Sequence, residues 1–268
     1  MFCKAVPTSD LPMSQSVKTG IIFLIAAAGI SITFTFPPIP QDQQYLLFAD
    51  NRSFWGIPNF GDVVSNVPFS LVGVLGLLAL GRHWKDKTRF TNWFEAVPFF
   101  FVFIGLILLG PCSTYFHLAP SNDTLVWDRL PMTLVFMAFF STIIAERIHL
   151  KSGLVLLPVL LVVGGGSVIY WSVTESAGQG DLRAYALVQF LPILIIPVIL
   201  ILFKPKYTGG RYLIEVIAWY GLAKIFELLD HRIYALTLNL MSGHTAKHLA
   251  AALAIFGLVK YIRNRQKV

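Results

Sequence analysis

The chain has 268 residues, 56 % of them hydrophobic and 13 % charged, with a mean hydropathy of +0.68 and a formal charge of +7. A soluble globular domain carries about 25 % charged residues, and here the apolar residues fall in blocks of about 17 to 20, the length that crosses a bilayer as a helix. This excludes a water-soluble enzyme, and because the basic residues sit in loops and tail they bear on orientation rather than on nucleic acid.

The predicted fold is all-α, a polytopic helical bundle in the membrane with a seven-helix core and one additional N-terminal helix. The first apolar run, residues 20–36, follows Lys4 and Lys18 and stops at Pro37-Pro38. No small-x-small cleavage site precedes that proline pair, so the run reads as a retained helix rather than a cleaved signal peptide. Residues 37–61 form a polar, aromatic-containing segment outside the bilayer. The further spans are 63–80, 96–117, 129–149, 153–171, 184–203, 212–230 and 244–262, eight in all. Residues 1–61 thus form an N-terminal unit, 62–262 the core, and 263–268 a basic tail. Pro68, Pro98, Pro158, Pro192 and Pro197 fall within helices, where neighbours can satisfy the freed backbone groups. Gly164-Gly165-Gly166 interrupts another span and permits close helix contact. The two cysteines, Cys3 and Cys112, make neither a disulfide framework nor a cysteine zinc site, and Cys112 reads as a core residue.

Orientation follows from the Lys and Arg count. With the N-terminus inside, fifteen fall in inner segments and four, Arg52, Arg129, Arg183 and Arg232, in outer ones. Both termini are therefore expected in the cytoplasm. Lys224 and Lys247 lie within helices.

The chain is organised around residues 113–128. Ser113 and His117 are four apart and share a helix face. After a turn containing Pro120, Asp128 opens the next span. Downstream, His244 and His248 repeat the four-residue spacing at the start of the last span. On the predicted topology all five fall at the non-cytoplasmic face. Three imidazoles with one open position suit catalytic zinc, which lowers the pKa of water to about 7 and polarises a carbonyl. Asp128 is placed to act as general base, or more simply to cap the helix starting at Arg129. Ser113 would hydrogen-bond the water or the oxyanion, or else back-bond within its own helix. Glu227, Asp230 and His231 form a second polar group near the same face, expected to support the site by hydrogen bonding rather than to ligate.

The order Ser113-x3-His117, Asp128, His244-x3-His248 resembles the signature of the alkaline ceramidases. Their wider superfamily of seven-helix membrane metallohydrolases includes progestin/adiponectin-receptor-like and glycolipid-anchor-remodelling proteins. Residues 59–66, ending in Ser65-Asn66, resemble the ceramidase branch at the first core helix, and Asp230 matches an aspartate late in the sixth. The resemblance spans roughly residues 50–262. It implies a membrane-embedded zinc amidase with His117, His244 and His248 as ligands, Asp128 as base and Ser113 on the oxyanion. It also implies a ceramide-like lipid entering from the bilayer and released as fatty acid and amine. Animal ceramidases carry a dense acidic calcium-binding cluster before the first core helix. Here only Asp50, Asn51, Asn59 and Asp62 stand there, with Arg52 among them, which weighs against calcium.

Three other readings compete. A lipid esterase or remodelling hydrolase would use the same centre, and a receptor would hold zinc structurally. A retinal protein is suggested only by Lys247, which sits about 100° from the face of His248. An integral, multi-pass location is expected, in a plasma membrane or a bacterial inner membrane. No nucleic-acid partner is implied, and nothing in the sequence bears on oligomeric state.

Overall fold

The structure, a computed structural model, describes residues 13–268, so Cys3 and Lys4 lie outside the described residues. It is an all-helical bundle with isolated β-bridges and no strands among the described residues. The long helices are α1 (Gln15–Thr35), α3 (Val67–His83), α4 (Ala96–Leu118), α5 (Asn122–Arg147), α6 (Leu150–Ser176), α7 (Arg183–Leu202), α8 (Gly210–Leu228) and α10 (Gly243–Asn264). Two short helices, α2 (Phe60–Val64) and α9 (Asp230–Leu236), precede α3 and α10.

Among the described residues seven helices are long and apolar enough to cross a membrane, with α2 and α3 counted as one span. This is an integral, multi-pass membrane protein. The eighth expected span, α8, has 19 residues but carries Arg211, Glu215, Lys224 and Glu227. Its charges are answered inside the protein: Glu215 by Lys260, and Glu227 by Lys224 and Lys247.

In the core, α3 packs on α4, α4 on α5, and α5 on α6 and α7, while α10 returns the chain to α3 and α8. α7 and α8 do not pack closely along each other; they face one another across a cavity lined by both. α1 lies outside this core, against α7, with Ile22 as its buried residue.

The α3–α4 contact shows how local chemistry shapes the bundle. Pro111 has no N–H for the carbonyl of Ile107, and the Ser70 hydroxyl donates to that oxygen at 3.0 Å. A side chain at Gly110 would collide with Ser70, so glycine is what lets the hydroxyl approach. The expectation at Gly164-Gly165-Gly166 changes: α6 runs through all three without interruption. Only Gly164 meets a neighbouring helix closely, with a Cβ there 3.0 Å from Met137 and 3.1 Å from Thr133.

The turn between α4 and α5 also differs from expectation. Ser121 caps α5 in a capping box with Thr124, so the helix begins at Asn122 and not at Arg129. Asp128 is therefore an inward-facing residue of the second turn and not a cap.

The 263–268 tail is docked. Thr208 N–H donates to the Gln266 carbonyl at 2.8 Å and Lys267 N–H to Thr88 at 2.8 Å, while Arg265 is fully buried. These contacts lie at the end of the bundle opposite the histidines.

Candidate metal centre

His117 lies in the last turn of α4, and His244 and His248 lie in the first two turns of α10. All three are buried, and one donor nitrogen from each lies within 4.8 Å of those of the other two. The rings meet edge to face, with centroids 4.8 to 4.9 Å apart. The sequence-predicted triad is therefore assembled from two ends of the fold that are far apart in the chain.

Neighbouring groups fix the rings. The break between α2 and α3 leaves Ser65 facing α10, with its Oγ 2.8 Å from His248 Nδ1. That hydroxyl already donates its one hydrogen to the Asp62 carbonyl at 3.0 Å. It must then accept from Nδ1–H, which leaves Nε2 of His248 with a free lone pair. The His117 backbone is held by Asn59, whose amide donates to its carbonyl at 2.8 Å. Asp230 anchors the start of α10 by accepting from His244 N–H at 2.8 Å, and it ties down the outer segment by accepting from Ala49 N–H at 3.0 Å. Phe48, in that segment, lies over the centre with its ring centroid 4.7 Å from both His117 and His244.

The donor set fits a metal ion. Nδ1 of His117 is buried with no hydrogen-bond partner among the described residues, an orphan that native structures rarely tolerate. Nε2 of His244 has the Lys247 ammonium 3.0 Å away, so a cationic group already stands at its lone pair. Three acceptor nitrogens converging in a buried site are what an imidazole-bound divalent cation requires.

A cavity runs from this centre into the bundle. Its polar end is formed by Ser113, Asp128, Lys224, Glu227, Lys247 and His248. Its apolar end reaches Phe139, Ile196, Val216, Ala254 and Ile255. From Asp128 to Phe139 along α5 it covers about 16 Å, at about 1.5 Å rise per residue. Ser113 and Asp128 are buried and their side chains interact. On the α7–α8 side the cavity is latched by Gln189, whose amide donates to Tyr220 Oη at 2.9 Å.

The second polar group divides. Glu227 pairs with Lys224 and Lys247, Asp230 caps backbone N–H groups, and His231 is exposed. Of the four residues considered for calcium, Asp50 and Asp62 are both engaged by side chains of this protein. Asp50 is held bidentately by Arg52, with two bonds of 2.7 Å. Burial pushes the Asp50 carboxyl up, but the Arg52 bonds outweigh it and keep it below the usual carboxylate range. Asp62 instead accepts from Ser242 at 3.1 Å and Thr245 at 2.7 Å, and Asn51 is exposed.

Sequence reasoning missed Phe48 and Tyr45, which carry no motif, and set Lys247 aside. Lys247 is three residues after His244, so the two share a face despite its angular offset from His248. Its flexible stem brings the ammonium into the centre.

No curated protein matches the sequence. The family model described as Ceramidase matches residues 56–262, a region that begins beyond α1 and holds every residue of the histidine centre. The match covers well over half of the chain, and the protein belongs to the ceramidase family.

Proposed function

We propose that this protein is a zinc-dependent amidohydrolase that cleaves the amide of ceramide or a related acyl-amide lipid to a fatty acid and a free amine. Family membership supports a ceramide-hydrolysing membrane enzyme. The observation that carries the finer reading is the convergence of three buried imidazoles, one of which, His248, lines an apolar cavity. His117, His244 and His248 would hold the ion. When bound there, zinc would acidify water and polarise the scissile carbonyl.

The protein's own groups do the rest. The apolar end of the cavity takes the acyl chain, and parting of the Gln189–Tyr220 hydrogen bond between α7 and α8 gives a bilayer lipid a lateral entrance. Asp128 accepts the proton of the attacking water at a carboxylate oxygen. It returns that proton to the amide nitrogen as the C–N bond breaks, so one water is consumed and one acid and one amine form. The Ser113 hydroxyl donates to the oxygen on which negative charge develops. Phe48 covers the centre and limits bulk water.

Turnover of ceramide per bound zinc tests this reading. Asp128→Asn should retain the metal and lose about 10²–10⁴-fold in kcat, and Ser113→Ala about 10²–10³-fold. Near-wild-type turnover in Asp128→Asn would remove the carboxylate from the mechanism.

The proposed orientation puts the centre on the non-cytoplasmic face, from the excess of Lys and Arg at the opposite end. A cysteine at exposed Asp123 should react with an impermeant reagent from outside, and one at exposed Gln266 should not. The reverse pattern would invert the topology.

A further inference from the structure

The polar end of the cavity contains a charge arrangement that hydrolysis of a neutral amide does not use. Glu227 of α8 sits between two lysines: Lys247 Nζ lies 3.0 Å from its Oε1, and Lys224 bonds its Oε2. The Tyr45 hydroxyl donates to the same carboxylate at 3.3 Å. All three charged side chains are largely covered, with Lys247 and Glu227 each 14 % exposed and Lys224 28 %, and all line the cavity beside Ser113 and Asp128.

One carboxylate answers two ammoniums, each with three N–H donors. Glu227 takes one from each lysine, and His244 Nε2 is within reach of another on Lys247. N–H groups are left over on both. Asp128, the other carboxylate on the cavity, balances the second ammonium only while the imidazoles hold no cation. With a divalent ion in place, two ammoniums and that ion face Glu227 and Asp128 on the cavity, while Asp62, near Lys247 but off the cavity, spends one oxygen on Ser242 and Thr245. Unbalanced charge in an apolar site is costly, and a ligand that brings an anion relieves it.

We propose that Lys247 and Lys224 bind an anionic group on the amine half of the substrate, so that the substrate class is an acyl amide with an acidic head, an N-acyl amino acid being the simplest case. This rests on the amidohydrolase reading, which places the scissile amide at the imidazoles. The position of Lys247 sets the distance. Its ammonium touches His244, so the bound anion lies next to the reacting carbon, and in an N-acyl α-amino acid a single carbon separates carboxylate from amide nitrogen. The carboxylate is a spectator in the hydrolysis and no bond to it changes. Charge-assisted bonds of this kind are about twice as strong as neutral ones.

The test is equilibrium binding of N-oleoylglycine and of its neutral counterpart N-oleoylethanolamine to the full chain in detergent. It is measured after chelation by displacement of a fluorescent fatty-acyl probe, and turnover of both amides by the zinc-loaded protein is measured alongside. The metal-free protein, in which the left-over N–H groups of both lysines already line the cavity, should bind the acid at least about 10-fold more tightly than the ethanolamide, and bound zinc should raise that ratio. That ratio should fall to near one in Lys247→Met, fall partly in Lys224→Met and rise in Glu227→Gln, which frees both ammoniums. Equal affinity in the wild type, or an undiminished ratio in both lysine variants, would overturn the proposal. The wild-type ratio decides even if a variant does not fold. An acid preference without turnover of either amide would leave this proposal standing and remove the hydrolytic reading. Turnover of ceramide with no acid preference in binding would do the opposite.

Discussion

At the end of the bundle away from the histidines, Glu95 and Glu146 are buried with Arg265 and Arg147, and partly exposed Lys206 joins them. Each of these charges has an opposite charge within 3.7 Å. The hydroxyls of Tyr207 and Tyr261 donate to the two carboxylates, and the Arg265 guanidinium stacks 3.9 Å from the Phe90 centroid and 4.2 Å from that of Tyr207. The histidine end is buried too but is left open: an imidazole nitrogen, Nδ1 of His117, has no hydrogen-bond partner among the described residues, and a cavity lies alongside. A charge-paired network fixes a docked tail and the loops around it, although Nε and Nη2 of Arg265 and Nε of Arg147 make no hydrogen bond among the described residues. An incomplete set of donors is arranged for something that arrives from outside. The contrast separates a structural from a functional polar cluster more clearly than burial does, because both are buried.

Removing one member should therefore do different things at the two ends. Arg265→Met strands two buried carboxylates with fewer partners, and the expected cost is about 3–5 kcal/mol of stability, the range for breaking a buried pair. Chemical or thermal unfolding would measure it, with metal content per folded molecule unchanged. A loss of metal in that variant without loss of stability would erase the distinction between the ends. Ser65→Ala sharpens the comparison from the other side. It releases the Nδ1–H of His248 and should weaken metal affinity about 10–100-fold, as loss of an outer-shell partner does. Its effect on the unfolding of the metal-free protein should be small, because a single net hydrogen bond is worth about 0.5–1.5 kcal/mol. Competition against a chelator of known affinity reads this, and unchanged affinity would show that the ring needs no such holder.

How much of this was legible in the sequence depended on the range of the interaction responsible. The long helices, and the helical spacing of His244 and His248 with Ser113 and His117, follow from local periodicity and survive in the structure, although α8 is too charged to count as a candidate span. The start of α5 was misplaced because its cap uses Thr124 where a capping box usually has Glu or Gln, and Asp128 was accordingly considered as a cap. The sequence shows the tail only as basic, and its docking is not legible there because the partners of Arg265, Glu146 and Phe90, lie far away in the chain and no local pattern announces them. Phe48 carries no signal of its own, and Ser65 is marked only as part of the Ser65-Asn66 resemblance, with no role attached. They matter through where the segment before α2 and the α2–α3 break deliver them.

The central claim is that His117, His244 and His248 form the binding site of one catalytic ion. The most direct test is the metal content of the purified full-length protein and of a His244→Ala/His248→Ala variant that still folds, each measured by mass spectrometry after removal of loosely held ions. The account predicts about one zinc per chain in the wild type, as for a three-ligand catalytic site, and none in the variant. Full zinc occupancy in the variant, or a wild-type protein that turns over ceramide with no bound metal, would contradict it.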